Sequence, residues 1–205
     1  MAVYKTSNSG LLTRREYTSF LAGNTQFVPN YAVGAYDSIA TATGTGSSGT
    51  ITFSSIPSTY TSLQLRVLGR TTRANTDSTL GIRFNNDTGS NYTYHYLSGS
   101  GSSASAAGFT AQTASYNAVI SGSTTASNVM GVAVIDVQDY ASTTKNKTIR
   151  TLTGWDTNNV TGGSVGIYSG LWINTAAINR IDLIIADGSN WDSNAVFALY
   201  GIKGN

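Results

Sequence analysis

The chain has 205 residues, a formal charge of +2, and only 11% charged against 40% apolar side chains. So small a net charge gives no ground for a nucleic-acid partner, and the absence of cysteine excludes a disulfide scaffold and a thiolate metal site. Solubility falls to Ser, Thr, Asn and Gly, a composition that suits an all-β surface or a protein held in an assembly where long-range repulsion is unwelcome.

Met1–Gly10 is polar, without the apolar segment of a signal peptide, and no later run approaches the roughly 18 apolar residues of a membrane helix. Synthesis in a cytoplasm, no membrane insertion and exit by a route other than secretion are expected. Thr13-Arg14-Arg15-Glu16 has the form of a capping box, in which Thr13 accepts from a first-turn N–H and Glu16 reaches back. Tyr17, Phe20 and Leu21 come next at helical spacing and Gly23 supplies a stop, which predicts one short helix, marginal unless docked. Phe27, Pro29, Tyr31, Val33 and Tyr36 make an irregular apolar stretch that reads as an arm laid on a surface, of its own domain or of another subunit. Thr41–Gly49 reads as a Gly/Ser/Thr linker. The expected domains are therefore an arm over 1–40, a linker over 41–49 and a sandwich over 50–205.

From Thr50 the apolar period becomes two. Strands are predicted over Thr50–Phe53, Leu63–Arg70, Leu80–Phe84 and Asn91–Leu97, with Asn85–Gly89 as a strong turn. Ser98–Ala107 reads as a low-complexity loop, and a strand is expected near Tyr116–Ile120. Val129–Val137, rich in valine, is expected to be central and covered on both faces. Ile149–Trp155, Val165–Ile173 and Ile181–Ala186 are the next strands. The last stretch, Asn194–Lys203, is apolar on both sides: Val196, Ala198, Tyr200 and Ile202 face one way, Phe197, Leu199 and Gly201 the other. It must enter a sheet already formed. About eight or nine short β-branched and aromatic strands imply an all-β antiparallel sandwich, and long crossing loops favour an eight-stranded jelly roll over an up-and-down barrel.

Several patterns resemble chemistry and are better read as turns. Gly44-Thr45-Gly46-Ser47-Ser48-Gly49 fits the dinucleotide-binding pattern, but no strand precedes it and a strand rather than a helix comes after it. Gly162-Gly163-Ser164-Val165-Gly166 fits a nucleophile elbow, yet the sole histidine, His95, comes earlier in the chain and Ser164 leads into a strand. Asp136 and Asp139 flank Val137-Gln138, and Asp182, Asp187 and Asp192 sit around a late hairpin; without the spacing of a calcium loop they read as turn caps. With Glu16, in the arm, the sole glutamate and the aspartates mostly in turns, a glycosidase pair facing across a cleft is not expected. Arg66, Arg70, Arg73 and Arg83, and then Lys145, Lys147 and Arg150, read as solvated faces or subunit contacts. No enzyme activity, cofactor or metal is expected. Tyr92, Tyr94 and Tyr96 share one face of a strand, with His95 between them. They make either an amphipathic strip for the apolar faces of sugars or part of the core or a subunit interface.

Two stretches, Ser9-Gly10-Leu11-Leu12-Thr13-Arg14-Arg15-Glu16-Tyr17 and Phe197-Ala198-Leu199-Tyr200-Gly201-Ile202-Lys203, resemble virion structural proteins of tailed phages, especially those of aquatic bacteria. Thr50–Leu68, with Phe53-Ser54-Ser55-Ile56-Pro57 and Tyr60-Thr61-Ser62-Leu63, is similar to the first strands of the same group. The resemblance implies a jelly-roll appendage of the virion, a tail-fibre, collar or head-decoration component. Such a component is commonly trimeric and joins other virion proteins through its N-terminal segment. That attachment segment would map to Thr13 through Tyr36, with Thr13, Arg14, Arg15, Tyr17, Phe20, Leu21, Phe27, Tyr31 and Tyr36 as its contacts. A receptor-binding fibre would also touch a host-surface glycan, for which Tyr92, Tyr94, His95 and Tyr96 are the candidates.

Overall fold

The computed structural model describes residues 35–159 and 162–204, with the short segments Tyr4–Lys5 and Leu11–Leu12. The helix expected over Thr13–Leu21 lies outside the described residues, as do the candidate contacts Thr13, Arg14, Arg15, Tyr17, Phe20, Leu21, Phe27 and Tyr31. The chain divides into two units, Met1–Tyr36 and Asp37–Asn205. In the first, β1 (Tyr4–Lys5) pairs antiparallel with β2 (Leu11–Leu12).

The second unit is an antiparallel β-sandwich. Its strands are β3 (Tyr36–Thr43), β4 (Thr50–Phe53), β5 (Ser62–Gly69), β6 (Asp77–Phe84), β7 (Tyr92–Gly99) and β8 (Ala104–Gln112). They continue as β9 (Ser115–Ser121), β10 (Gly131–Gln138), β11 (Lys147–Asn159), β12 (Gly162–Trp172), β13 (Ile181–Ile185) and β14 (Val196–Ile202). Eight strands form one sheet in the order β3-β14-β5-β10-β11-β12-β7-β8, and four form the other in the order β4-β13-β6-β9. The last strand lies between β3 and β5 and pairs Phe197 with Val67 and Leu199 with Leu65.

Alternation places Leu63, Leu65 and Val67 of β5, Ala133, Ile135 and Val137 of β10, and Phe197 and Leu199 of β14 inward. They pack on Leu80, Ile82 and Phe84 of β6 and on Ile181, Leu183 and Ile185 of β13. Each large side chain buried this way contributes about 1.5–3 kcal/mol. Trp191 meets Phe197 edge-on at 4.7 Å, and Phe84, Tyr92 and Trp172 cluster at the other end. The Asn85–Gly89 turn is tied into that end. Asn85 and Asn86 take positive φ, Asp87 accepts from Trp172 Nε1 at 2.7 Å, and Tyr92 OH accepts from Phe84 N.

Three sequence expectations shift. Thr41–Thr43 end β3 rather than begin a linker, because Ile39, Ala40 and Ala42 pack against the core. Ser98–Ala107 is partly strand: β8 begins at Ala104 and pairs with β7 through Ala106↔Leu97 and Ala104↔Gly99. Val132 of β10 is 49% exposed, so that strand is central in its sheet yet covered on one face only.

Contrary to the sequence reading, a strand does precede the Gly44–Gly49 stretch, which turns β3 into β4. A Cβ at Gly44 would collide with the carbonyl of Asp192, and the loop is held by Gly46 N to Trp191 O and Trp191 N to Ser48 O. Close backbone approach explains its glycines. Gly162–Gly166 lies at the start of β12, which runs on as strand to Trp172.

Two of the cations work inside. Arg70 donates to the carbonyls of Ser123, Thr125, Ala126 and Val129 and so fixes the β9–β10 connection. Lys147 is fully buried and its ammonium donates to the carbonyls of Ser142, Lys145, Asn174 and Thr175, joining two loops. Replacing Lys147 with methionine strands those carbonyls, and chemical denaturation should show a loss of about 3 kcal/mol. Stability equal to the parent's would show the cage to be dispensable.

Candidate functional site

The smaller sheet covers only part of the larger one. Its edge strand β9 packs over β10, β11, β12 and β7, and beyond it the inner face of β12, β7 and β8 is open. Cross-strand register fills that ledge with aromatic rings. Tyr94 stands opposite Gly170 and Phe109, and Tyr96 opposite Tyr168 and Ala107. Tyr94 stacks on Phe109 at 4.8 Å and meets Tyr116 of β9 edge-on at 5.9 Å, while Tyr96 and Tyr168 are 5.5 Å apart.

The result is a recess of about 290 Å³. Its floor is Tyr94, Tyr96, Ser98, Phe109, Trp155, Ser164 and Tyr168, and its wall is Asp77, Thr79, Tyr116 and Val119. A second depression of about 560 Å³, along Gly99–Gly101 and Gly154–Asp156, shares Trp155 and Ser164 with it. The two together make a groove rather than a closed cavity. Trp155 Nε1 is screened from solvent and has no hydrogen-bond partner among the described residues. Asp77 is met by Arg73 at 3.3 Å, and among the described residues no cationic side chain lines the recess.

Burial, then Tyr96, Tyr94 and Asp77, pushes the Tyr168 hydroxyl up to about 12. Burial raises Tyr94 as well, helped by Tyr116 and Tyr96. Both hydroxyls therefore remain protonated donors through the neutral range. Ring faces with a few hydroxyls and one carboxylate suit a ligand that offers both C–H faces and hydroxyl groups.

The structure brings together two of the four residues the sequence suggests. Tyr94 and Tyr96 line the groove. Tyr92 has the same orientation but is fully buried, stacked on Trp172. His95 points to the opposite face of the sheet, with its ring over Gly108, beside Leu97 and Ile167. Tyr36 begins the edge strand β3 and is 48% exposed. Phe109, Tyr116, Trp155 and Tyr168 leave no mark as a group in the sequence, since they come from four strands and meet only through pairing.

The other sequence candidates have structural partners. Asp136 accepts from Gln64 and Arg150, Asp139 from Lys145, Asp182 from Arg180 and Thr52, and Asp187 from Ser189 N. Among the described residues no three metal-ligating side chains converge. Comparison with protein families, curated proteins and solved structures finds no match for this chain.

Tyr92 and Tyr168 both ionise near pH 12 in the folded protein, against 10.0 for a free tyrosine, because burial disfavours the phenolate. A raised acid stabilises the fold below its unfolded value and withdraws that stability as pH climbs through the folded one. Ultraviolet phenolate titration should show these two ionising last, towards pH 12, with stability falling between pH 10 and about 12. Smooth ionisation of every tyrosine near pH 10 in the folded state would contradict their burial.

Proposed function

We propose that the chain is a component of a tailed-phage particle, an oligomeric appendage of jelly-roll topology attached through its N-terminal segment, and that its aromatic groove binds a neutral glycan of the host surface. The groove carries the reading. Tyr94, Tyr96, Phe109, Tyr116, Trp155 and Tyr168 converge where the smaller sheet stops, a concentration of ring faces that the core does not need. Lining without a cationic side chain favours uncharged sugars over acidic ones.

The jelly-roll assignment rests on nested pairing: β3 with β14, β4 with β13, β5 with β10 and β6 with β9, the outermost strands in sequence pairing with each other and so inward. Two hairpins, β7–β8 and β11–β12, are insertions that extend one sheet beyond that eight-strand frame. The particle assignment draws on the opening and closing motifs and on the division of the chain between Tyr36 and Asp37.

Purified protein on an array of host-surface polysaccharides should bind neutral glycans, and Tyr96→Ala and Tyr94→Ala should each weaken binding about tenfold while the fold is kept. Silence across host polysaccharides would remove the glycan reading. Particles that incorporate a form lacking residues 1–35 as well as the full chain would remove the attachment reading.

A further inference from the structure

The outer face of the eight-stranded sheet carries a band of large apolar side chains that the sandwich leaves uncovered. Register aligns them in two adjacent rows. Val196, Leu68 and Val132 are successive neighbours across β14, β5 and β10, and Val165 continues the row on β12 past Gly154. In the next row Leu152, Ile167 and Leu97 are successive neighbours across β11, β12 and β7. Each of the seven is 43–59% exposed. The outer face of an antiparallel sandwich is ordinarily polar, so an unbroken apolar band there marks a surface that meets something.

We infer that this face is where a second copy of the chain docks. At about 4.8 Å per strand the band runs about 30 Å across the sheet and two residues along it, on the order of 400 Å². That is about half of the roughly 800 Å² each partner buries in a stable interface, and the neighbouring polar row supplies the remainder. The rim carries both signs of charge. Arg150, 73% exposed at its side chain, pairs with Asp136 at 3.0 Å, and Arg66 lies over the Tyr200 ring at 5.1 Å. A patch with an apolar centre and opposite charges side by side at its edge is complementary to itself. The band ends at β8, Ala104–Gln112, a nine-residue strand without a charge or a proline, which ends the sheet among the described residues. Apart from a bulge at Thr110–Ala111, such an edge lacks the devices that keep copies apart.

The occupant is thus a copy of the same chain rather than a lipid surface or a strongly charged protein: the formal charge of +2 sets only weak, salt-screened repulsion between copies, and among the described residues no cationic cluster borders the band.

The full-length protein in sedimentation equilibrium at about 100 µM should form a discrete oligomer. Leu152→Arg with Ile167→Glu should shift it to monomer, raising the dissociation constant about a hundredfold, with an unchanged far-ultraviolet circular dichroism spectrum because both side chains are exposed. Val132→Glu with Leu68→Lys should do the same from the other end of the band. Thr148→Lys, on the same face beyond the ion pair, should leave the mass unaltered. A wild-type monomer at that concentration overturns the inference, as does an oligomer that survives both band variants or one that Thr148→Lys also dissolves.

Discussion

Strand β14 enters the larger sheet between β3 and β5, and its inward Phe197 and Leu199 complete the packing against Trp191 and β5. It takes a partner on each side. The frame therefore closes with the end of the chain, and the pairing that closes it is the most non-local of all, β3 with β14. Contacts of such separation form late and cost loop entropy first. Once made, they leave each internal strand of the frame with two partners.

Unequal sheets result from where the two extra hairpins are inserted. Both β7–β8 and β11–β12 extend the larger sheet on the side away from β14, while the smaller sheet remains at four strands. Neither face of the added strands is then wholly covered. On the inner face the uncovered ledge becomes the aromatic groove, and on the outer face the same strands carry Leu97, Leu152, Val165 and Ile167 into the open. A single architectural step thus produces two surfaces with different chemistry, one of rings and hydroxyls and one of aliphatic side chains.

The scarcity of charge fits this arrangement, since several of the few cations are used structurally. Arg70 and Lys147 are bound to backbone carbonyls, Arg180 to Asp182 of β13 and Arg73 to the turn residue Asp187. Amides and hydroxyls are left to solvate the remainder. Asp87 shows the same economy: burial would raise its carboxyl, but hydrogen bonds from Trp172, Asn91 and Gly89 together hold it below the usual value.

Alternation with β-branched and aromatic residues makes most strands legible from sequence. Thr50–Phe53 is found with the bounds expected of it, and the strand expected over Ile181–Ala186 ends one residue earlier. Segments of small polar residues hide the others. In β3 the apolar signal is Ile39 with two alanines, and in β8 alanine, serine and glycine alternate without a period that hydropathy can register. The tyrosine strip is visible as a shared face, but depth is not: the fold covers Tyr92 and leaves Tyr94 open, which depends on where β9 ends above them. Trp155 and Tyr168 give no warning, because a groove assembled across six strands has no footprint in local spacing.

Hydrogen–deuterium exchange of the full-length protein, resolved by residue, tests the closing role of β14 most directly. Amides of Phe197, Leu199 and Gly201 should belong to the slowest class together with those of Leu63, Leu65 and Val67, released only by global unfolding, while β8 exchanges early. Exchange of the β14 amides at loop rates, with β5 still protected, would mean that the fold stands without its last strand and that β14 does not close it.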